Sequence, residues 1–290
     1  MKNYYPESEL ILNPDGSIFH LHLHPEQLAR KIVVVGDPGR VDTVAEFFDS
    51  RESETQSREF HSITGTYCGK RITALSTGIG CDNIDIVLNE LDALVNIDLV
   101  KRCPKPQTTA LEIVRIGTCG GLQDDVPVGT YIATQKSIGF DGLLNFYAGR
   151  NDVCDLALEQ AFKVHMHWNP LLCSPYVIDG NADLLSRIAG SDMKRGITVS
   201  CGGFFGPQGR ELRLPLADRE QNSKVRSFLY DGLRILNYEM ESSALAGLAR
   251  LLGHKAMTCC MVIAGRVSGE ANAAYQTSIP ALIRIVLDRI

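Results

Sequence analysis

Glu112-Ile113-Val114-Arg115-Ile116-Gly117-Thr118-Cys119-Gly120-Gly121 is an apolar run, broken by one arginine, that ends in a cluster of small residues. A short run of this kind closed by glycines predicts a buried strand leading into a turn, the unit from which α/β sheets are assembled. An arginine inside such a strand cannot stay charged and unpaired, because burial of an uncompensated cation is too costly, so Arg115 must meet an anion. Either a carboxylate or a bound phosphate meets that demand. The first gives a core Arg–Glu pair beside a tight turn; the second uses the bare backbone amides that small residues expose at the carboxyl edge of a sheet.

Similar units lie on both sides. Ile32-Val33-Val34-Val35 is a β-branched strand, and Gly36-Asp37-Pro38-Gly39-Arg40 turns it into a helix for which Asp37 is the cap and Pro38 the first-turn residue. Val41, Val44, Ala45 and Phe48 then share one helical face. Strand, glycine turn and helix amino terminus make a phosphate cradle with Arg40 as its cation. The pattern is neither the dinucleotide G-x-G-x-x-G nor a Walker loop, so a nucleotide cofactor is disfavoured. Ile63 to Tyr67 and Arg71 to Leu75 predict a hairpin, Ser76-Thr77-Gly78-Ile79-Gly80 a break, and Asp82 to Asn96 an amphipathic helix capped by Asp82.

Further strands are expected at Thr130 to Thr134, Tyr176 to Asp179, Gly196 to Ser200 and Met257 to Ala264, with helices near Asp155 to His165 and over Ser242 to Leu252. This alternation, with no repeat or linker, points to a single α/β domain over residues 1–290. Cys201 to Arg210 is a glycine-rich loop carrying Phe204, Gln208 and Arg210, a mixture suited to a flat polar ring, since Phe stacks while Gln and Arg make directed hydrogen bonds. Glu239-Met240-Glu241 brackets a methionine with carboxylates where a helix starts. Such a pair either binds a diol or complements the helix dipole. His20, His22 and His24 alternate over an extended segment, which offers zinc three imidazoles on one face but no carboxylate or thiol partner.

Composition narrows the class. A chain of 290 residues, 44% hydrophobic, with a net charge of −5, is a globular protein without the basic excess of nucleic-acid or membrane-surface binders. Residues 1–6 lack an apolar signal core, and the chain is expected to be cytoplasmic. An odd number of cysteines, 9, with no C-x-x-C pair, suits reduced thiols; Cys119, in the small-residue cluster, is read as a turn residue.

The order of Gly36-Asp37-Pro38-Gly39-Arg40-Val41, Arg58-Glu59-Phe60, Ser76 to Gly80, Arg115-Ile116-Gly117-Thr118, Gln208-Gly209-Arg210 and Asn237-Tyr238-Glu239-Met240-Glu241 resembles the nucleoside phosphorylase family, and most of all its uridine-cleaving members. The resemblance runs from Phe19 to about Arg266. It implies a three-layer α/β/α fold with a central mixed sheet, and conversion of uridine and phosphate to uracil and ribose 1-phosphate. By resemblance, Gly36, Arg40, Arg115 and Thr118 bind phosphate, with Arg58 supplied by a neighbouring subunit. Thr118, Met240 and Glu241 hold the ribose, with His20 reaching it from that neighbour. Phe204, Gln208, Arg210 and Arg266 face the base. Arg115, Arg210 and Glu241 are then the catalytic set, and inorganic phosphate is a co-substrate in a reaction that needs no cofactor and no metal. The implied assembly is a homo-oligomer with at least a dimer as the active unit, a hexamer (trimer of dimers) being its larger form.

The sequence departs from the family at Cys81-Asp82-Asn83, at Gly265 and at His22, and it looks longer after Asn96 and over Tyr147 to Pro170. The alternatives on the same fold are a purine nucleoside phosphorylase or a hydrolytic nucleosidase, and outside enzymes a nucleoside-binding or storage protein. Hexameric purine members carry an Asp after the last strand, which Val262 to Val267 lacks. A hydrolase has no use for the arginine set, and the presence of Arg40, Arg115 and Glu241 argues against a non-catalytic protein.

Overall fold

The alternation of side chains along two neighbouring strands sets the layers. The computed structural model describes residues 3–290, so Met1 and Lys2, part of the 1–6 terminus and of the expected 1–290 domain, lie outside the described residues. In β1 (Lys31–Val35), Ile32 and Val34 point to one side, and Ile113 of β7 (Glu112–Gly121) joins them. They pack against Ile84, Leu88 and Leu91 of α2 (Cys81–Asn96) and Leu245 and Leu248 of α7 (Ser242–Leu252). Val33, Val35, Val114 and Ile116 point the other way, onto Val41 and Val44 of α1 (Pro38–Ala45), Leu184 of α5 (Ala182–Ile188) and Ile283 and Val286 of α8 (Ile279–Arg289). Helices on both faces of a sheet whose strands are buried on both sides give a single three-layer α/β/α domain.

The remaining elements extend this frame. Before β7 come β2 (Ser50–Ser57), β3 (Phe60–Tyr67), β4 (Lys70–Ser76) and the two-residue strands β5 (Ile97–Asp98) and β6 (Cys103–Pro104). After β7 come β8 (Tyr131–Gly139), α3 (Arg150–Val153), α4 (Leu156–Met166), β9 (Tyr176–Asp179), β10 (Lys194–Ser200), α6 (Gln221–Ser227), β11 (Leu229–Tyr230), β12 (Leu233–Glu239) and β13 (Lys255–Gly265). The sheet runs β11-β12-β10-β8-β13-β7-β1-β4-β3-β2. It is mixed: β7 is parallel to β1 and β13, whereas β13 is antiparallel to β8.

β7 corrects the expected turn. Gly117 to Gly121 do not leave the sheet but form the second half of the strand. They stay paired with β13 while Gly120 and Gly121 also pair antiparallel with Tyr238 and Asn237 of β12. One half of the sheet thereby curls until β7 meets β12. Glycine is needed for closure: a Cβ on Gly121 would lie 2.6 Å from the Val126 carbonyl oxygen.

Asp37 caps α1 as expected, accepting from the Gly39 amide at 3.0 Å, with Pro38 in the first turn. Asp82 does not cap α2; the cap position is Gly80, at φ +103°, and Asp82 lies inside the first turn. The stretch holding His20, His22 and His24 is no strand either. Ile18 donates to the Leu23 carbonyl, and His22, at φ +52°, donates back to that of Ile18, so a turn breaks the alternation. Among the described residues, the group of metal-capable side chains with ligand atoms within 4.8 Å of one another is Asp42, Glu54 and His61. All the cysteines are free thiols. Among the described residues no helix is long and apolar enough to cross a membrane.

Leu91 sits fully buried between α2, the sheet and α7. Leu91→Ala is expected to lower the unfolding free energy by about 2–5 kcal/mol, through lost burial plus the cavity left behind. Urea unfolding checks this; a change below about 1 kcal/mol would mean that this helix face does not carry the core.

Candidate active site

β7 places Ile113, Arg115 and Gly117 toward α2 and α7, and the amino ends of those helices converge there. Arg115 is buried and pairs with two carboxylates: Nη2 donates to Glu241 Oε2, while Nη1 forms an ion pair at 3.1 Å from Glu239 Oε2 and donates to Cys260 Sγ at 3.7 Å. Carboxylates thus meet part of the demand of the buried Arg115 cation for an anion. The Nε hydrogen, however, meets no acceptor among the described residues. A buried guanidinium with one unused donor still has capacity for an anion. Gly117 is what lets the head group fold back over its own strand, since a Cβ there would lie 2.3 Å from Arg115 Nη1.

The two carboxylates differ in their surroundings. Glu239, at the end of β12, accepts from the backbone amides of Glu241 at 2.9 Å and Ser242 at 2.9 Å, and from the Ser200 and Ser242 hydroxyls. It thereby serves the start of α7, the role that the sequence left open for either glutamate. Glu241 holds the cap position of α7 without a side-chain cap, and besides Arg115 it accepts from the Gly80 amide at 2.7 Å, across the start of α2. Burial raises the Glu241 pKa, and Arg115 offsets part of that rise. For Arg115, burial opposes the charge, but Glu241 and Glu239 outweigh it and hold the pKa above the ordinary arginine value.

These residues line a cleft of about 670 Å³. The lining includes Gly36, Arg40 and Thr118 together with Asp37 and Pro38 at the amino terminus of α1, whose dipole favours an anion. Arg40 is buried and donates weakly to the Ile116 carbonyl at 3.4 Å and to the Tyr275 hydroxyl at 3.3 Å, with the tyrosine ring 5.8 Å away. It also includes Phe204, Gln208 and Arg210, the group expected to face the base, and Met240 and Glu241. Arg210 stacks 3.8 Å from the Phe204 ring centre, and its Nη1 donates to the Phe204 carbonyl and to Gln208 Oε1. Burial and the nearby Arg266 bring its pKa down to about 10. Arg266, expected to face the base, is not among the lining residues: it donates to the Gln208 and Gly209 carbonyls at 3.0 Å and so braces the loop that carries Gln208 and Arg210.

His20 and Arg58 are not among the lining residues. Glu90 holds the His20 ring through Nδ1 at 2.6 Å and the His20 and Leu21 amides at 3.0 and 2.9 Å, while Arg58 lies 5.9 Å from the Phe19 ring. Glu239 and Tyr275 are lining residues that the sequence reading did not assign as site residues. Glu239 was visible as half of a carboxylate pair, whereas nothing in the pattern marks Tyr275. Cys119 also lines the cleft, and burial pushes its thiol pKa well up, so it is a small wall residue, not a nucleophile.

Residues 30–288 match the Phosphorylase superfamily. The uridine phosphorylase of Haemophilus influenzae is 30% identical over 268 residues, covering 88% of this chain and 89% of that protein. A DeoD-type purine nucleoside phosphorylase of Geobacillus stearothermophilus is 27% identical over 272 residues, covering 93% and 97%. Among solved structures, a Trypanosoma brucei nucleoside phosphorylase that shows uridine phosphorylase activity superposes with a TM-score of 0.88 at 28% identity, covering 97% of this chain and 99% of that one.

Gly117→Ala is expected to displace the pinned Arg115 head group. Calorimetric titration with inorganic phosphate should show affinity reduced about ten-fold or more, the worth of a hydrogen bond to a charged group. Unchanged affinity would mean that Arg115 does not need this glycine.

Proposed function

Because the chain belongs to the Phosphorylase superfamily, a family of nucleoside-cleaving pentosyltransferases by its relatives here, we propose that it is a uridine phosphorylase, converting uridine and phosphate to uracil and ribose 1-phosphate. The observation that carries this reading is the pairing of Gln208 with Arg210 in a cleft that Arg40 and Arg115 also line. Arg210 donates to Gln208 Oε1, which fixes the amide so that Nε2 is the donor left for O2 of uracil. The second lone pair of Oε1 then takes N3–H, and Arg210 serves O4.

Phosphate held by Arg40, Arg115, Thr118 and the amides at Gly36 attacks C1′ of a sugar that becomes oxocarbenium-like, while Arg210 stabilises the charge growing on uracil. Phosphate also competes with Glu241 for Arg115. As Arg115 turns to the dianion, Glu241 is freed to accept the ribose hydroxyls beside Met240, so the two substrates bind with positive coupling. The chemistry uses positioning and charge, with no proton acceptor and no cofactor. His20 and Arg58, outside their own chain's cleft, complete the site of a second copy, which makes the active unit a homo-oligomer of at least a dimer.

Purified protein incubated with uridine, cytidine and inosine, with and without phosphate, tests the substrate. Uracil and ribose 1-phosphate are expected from uridine only when phosphate is present. Cytidine should react at least about 100-fold more slowly, since its amino group faces Arg210 and its N3 leaves the Gln208 acceptor unmatched. Free ribose formed at full rate without phosphate, or faster turnover of inosine, would sink the proposal.

The shared site has a separate test. Chains carrying His20→Ala and Arg58→Ala, mixed with Glu241→Ala chains, should regain part of the activity that neither has alone. Mixed oligomers that form, by mass spectrometry, and stay inactive would refute the exchange.

A further inference from the structure

Behind the cleft, a buried run of hydroxyls joins Arg115 to a carboxylate that is not part of the cleft wall. Ser200 Oγ donates to Glu239 Oε1 at 2.5 Å and accepts from the Ser243 amide at 2.9 Å. The Ser243 hydroxyl donates to Asp141 Oδ2 at 2.9 Å, while Tyr176 Oη and the Leu143 amide donate to Asp141 Oδ1 at 2.9 and 2.8 Å. Ser200, Ser243 and Tyr176 are fully buried. Asp141 faces a second cavity of about 950 Å³, walled by Phe140, Trp168 and Phe205 and distinct from the active-site cleft except at Arg210.

Two of these hydroxyls have further neighbours, Ser200 Oγ lying 2.9 Å from Ser242 Oγ and Tyr176 Oη 3.0 Å from Ser243 Oγ, and the carboxylates at the two ends of the run set its direction. A carboxylate engaged only as an acceptor makes Ser243 spend its hydroxyl hydrogen on Asp141, which anchors the first turn of α7 from behind. That same turn presents the amides of Glu241 and Ser242 to Glu239, and its Ser243 amide orients the Ser200 oxygen so that the Ser200 hydrogen points at Glu239. Glu239 is thereby fixed on all sides, and Arg115 rests against it at 3.1 Å. Of the two carboxylates on Arg115, Glu241 has fewer other donors, with the Gly80 amide at 2.7 Å on its second oxygen.

We propose that Asp141 is a positioning residue for Arg115, acting through Ser243, Ser200 and Glu239. It keeps the guanidinium in register for the phosphate while Glu241 changes partner. This rests on the reading of the cleft as a phosphate and nucleoside site, but the anchoring of Arg115 has a readout of its own.

Four variants test it: Asp141→Asn, Ser243→Ala, Ser200→Ala and the conservative Ser200→Thr. In ¹⁵N-arginine protein without substrate, the Nε–H resonance of Arg115, identified by its loss in Arg115→Lys, should exchange slowly with solvent. It should exchange at least about ten-fold faster in the first three variants and return toward the original rate in Ser200→Thr. In steady-state assays the first three should raise KM for phosphate about ten-fold or more, with a smaller change in KM for uridine, at melting temperatures that leave the protein folded. A purely structural role would lower the melting temperature and scale the apparent kcat with the folded fraction, leaving KM for phosphate and the Arg115 resonance unmoved. That result in the folded variants would overturn the proposal. If uridine is not cleaved but the resonance responds as expected, the substrate reading fails and the anchoring of Arg115 stands.

Discussion

A guanidinium buried between two carboxylates is the constraint from which the rest of this structure follows. Removing one partner from a buried ion pair costs roughly 3–5 kcal/mol, because the remaining charge is stranded. Arg115, Glu239 and Glu241 therefore hold three chain segments together: β7, the end of β12 and the start of α7. The group carries one cation for two anions, and its excess negative charge is met by backbone amides at helix starts, from Gly80 of the α2 cap and from Glu241 and Ser242 of α7. Both helix amino termini must therefore lie at the same edge of the sheet.

That requirement explains the glycines in β7 better than a turn does. The strand has to carry a bulky cation toward α2 and α7, continue past it, and still bring its last residues against β12. Gly117 gives room to the guanidinium, and Gly121 gives room to the crossing backbone at Val126. The small residues after Arg115 are consequences of one packing problem, and the cleft forms where the curled half of the sheet meets the helix ends.

This problem also separates what the sequence makes legible from what it hides. β1, α1, β9 and α7 were readable because local signals agree: β-branched runs, the Asp37 cap and an Ala/Leu-rich helix. Strand residues of β7 after Ile116 read as a turn because glycine has the same appearance whether it bends the chain or admits a neighbour. β2, with the polar sequence Ser50 to Ser57, escaped because an exposed edge strand has no apolar alternation to show. Most cleft residues were named through an ordered set of short motifs, and the structure brings Gly36, Arg40, Arg115, Thr118, Phe204, Gln208, Arg210, Met240 and Glu241 to one cavity. Tyr275 was illegible because it reaches Arg40 across 235 positions of sequence from a segment without a motif. Glu239 was seen as a charge but not as a clamp, since its donors come from Ser200 and α7, and that arrangement exists only after the sheet has closed.

Charge balance in the cleft bears on how a dianion is accommodated. Among its lining residues the arginines are Arg40, Arg115 and Arg210, against the carboxylates Asp37, Glu59, Glu239 and Glu241. Of the arginines, Arg115 is already engaged by two carboxylates, and Arg210 is stacked on Phe204. Arg40 is then the one lining arginine whose contacts are weak and to neutral oxygens. On the proposed reading, Arg40, a helix amino terminus worth roughly 0.3–1 kcal/mol at an exposed site, and Arg115 once it turns from Glu241 would face a phosphate dianion beside Asp37 and Glu59. A further cation from outside this cleft would strengthen that match. Arg58 is held at the β2–β3 turn, stacked toward Phe19 next to His20, on a part of the surface that does not line its own chain's cleft. A second copy that brings this patch to the cleft would supply that cation, and phosphate affinity would then depend on assembly.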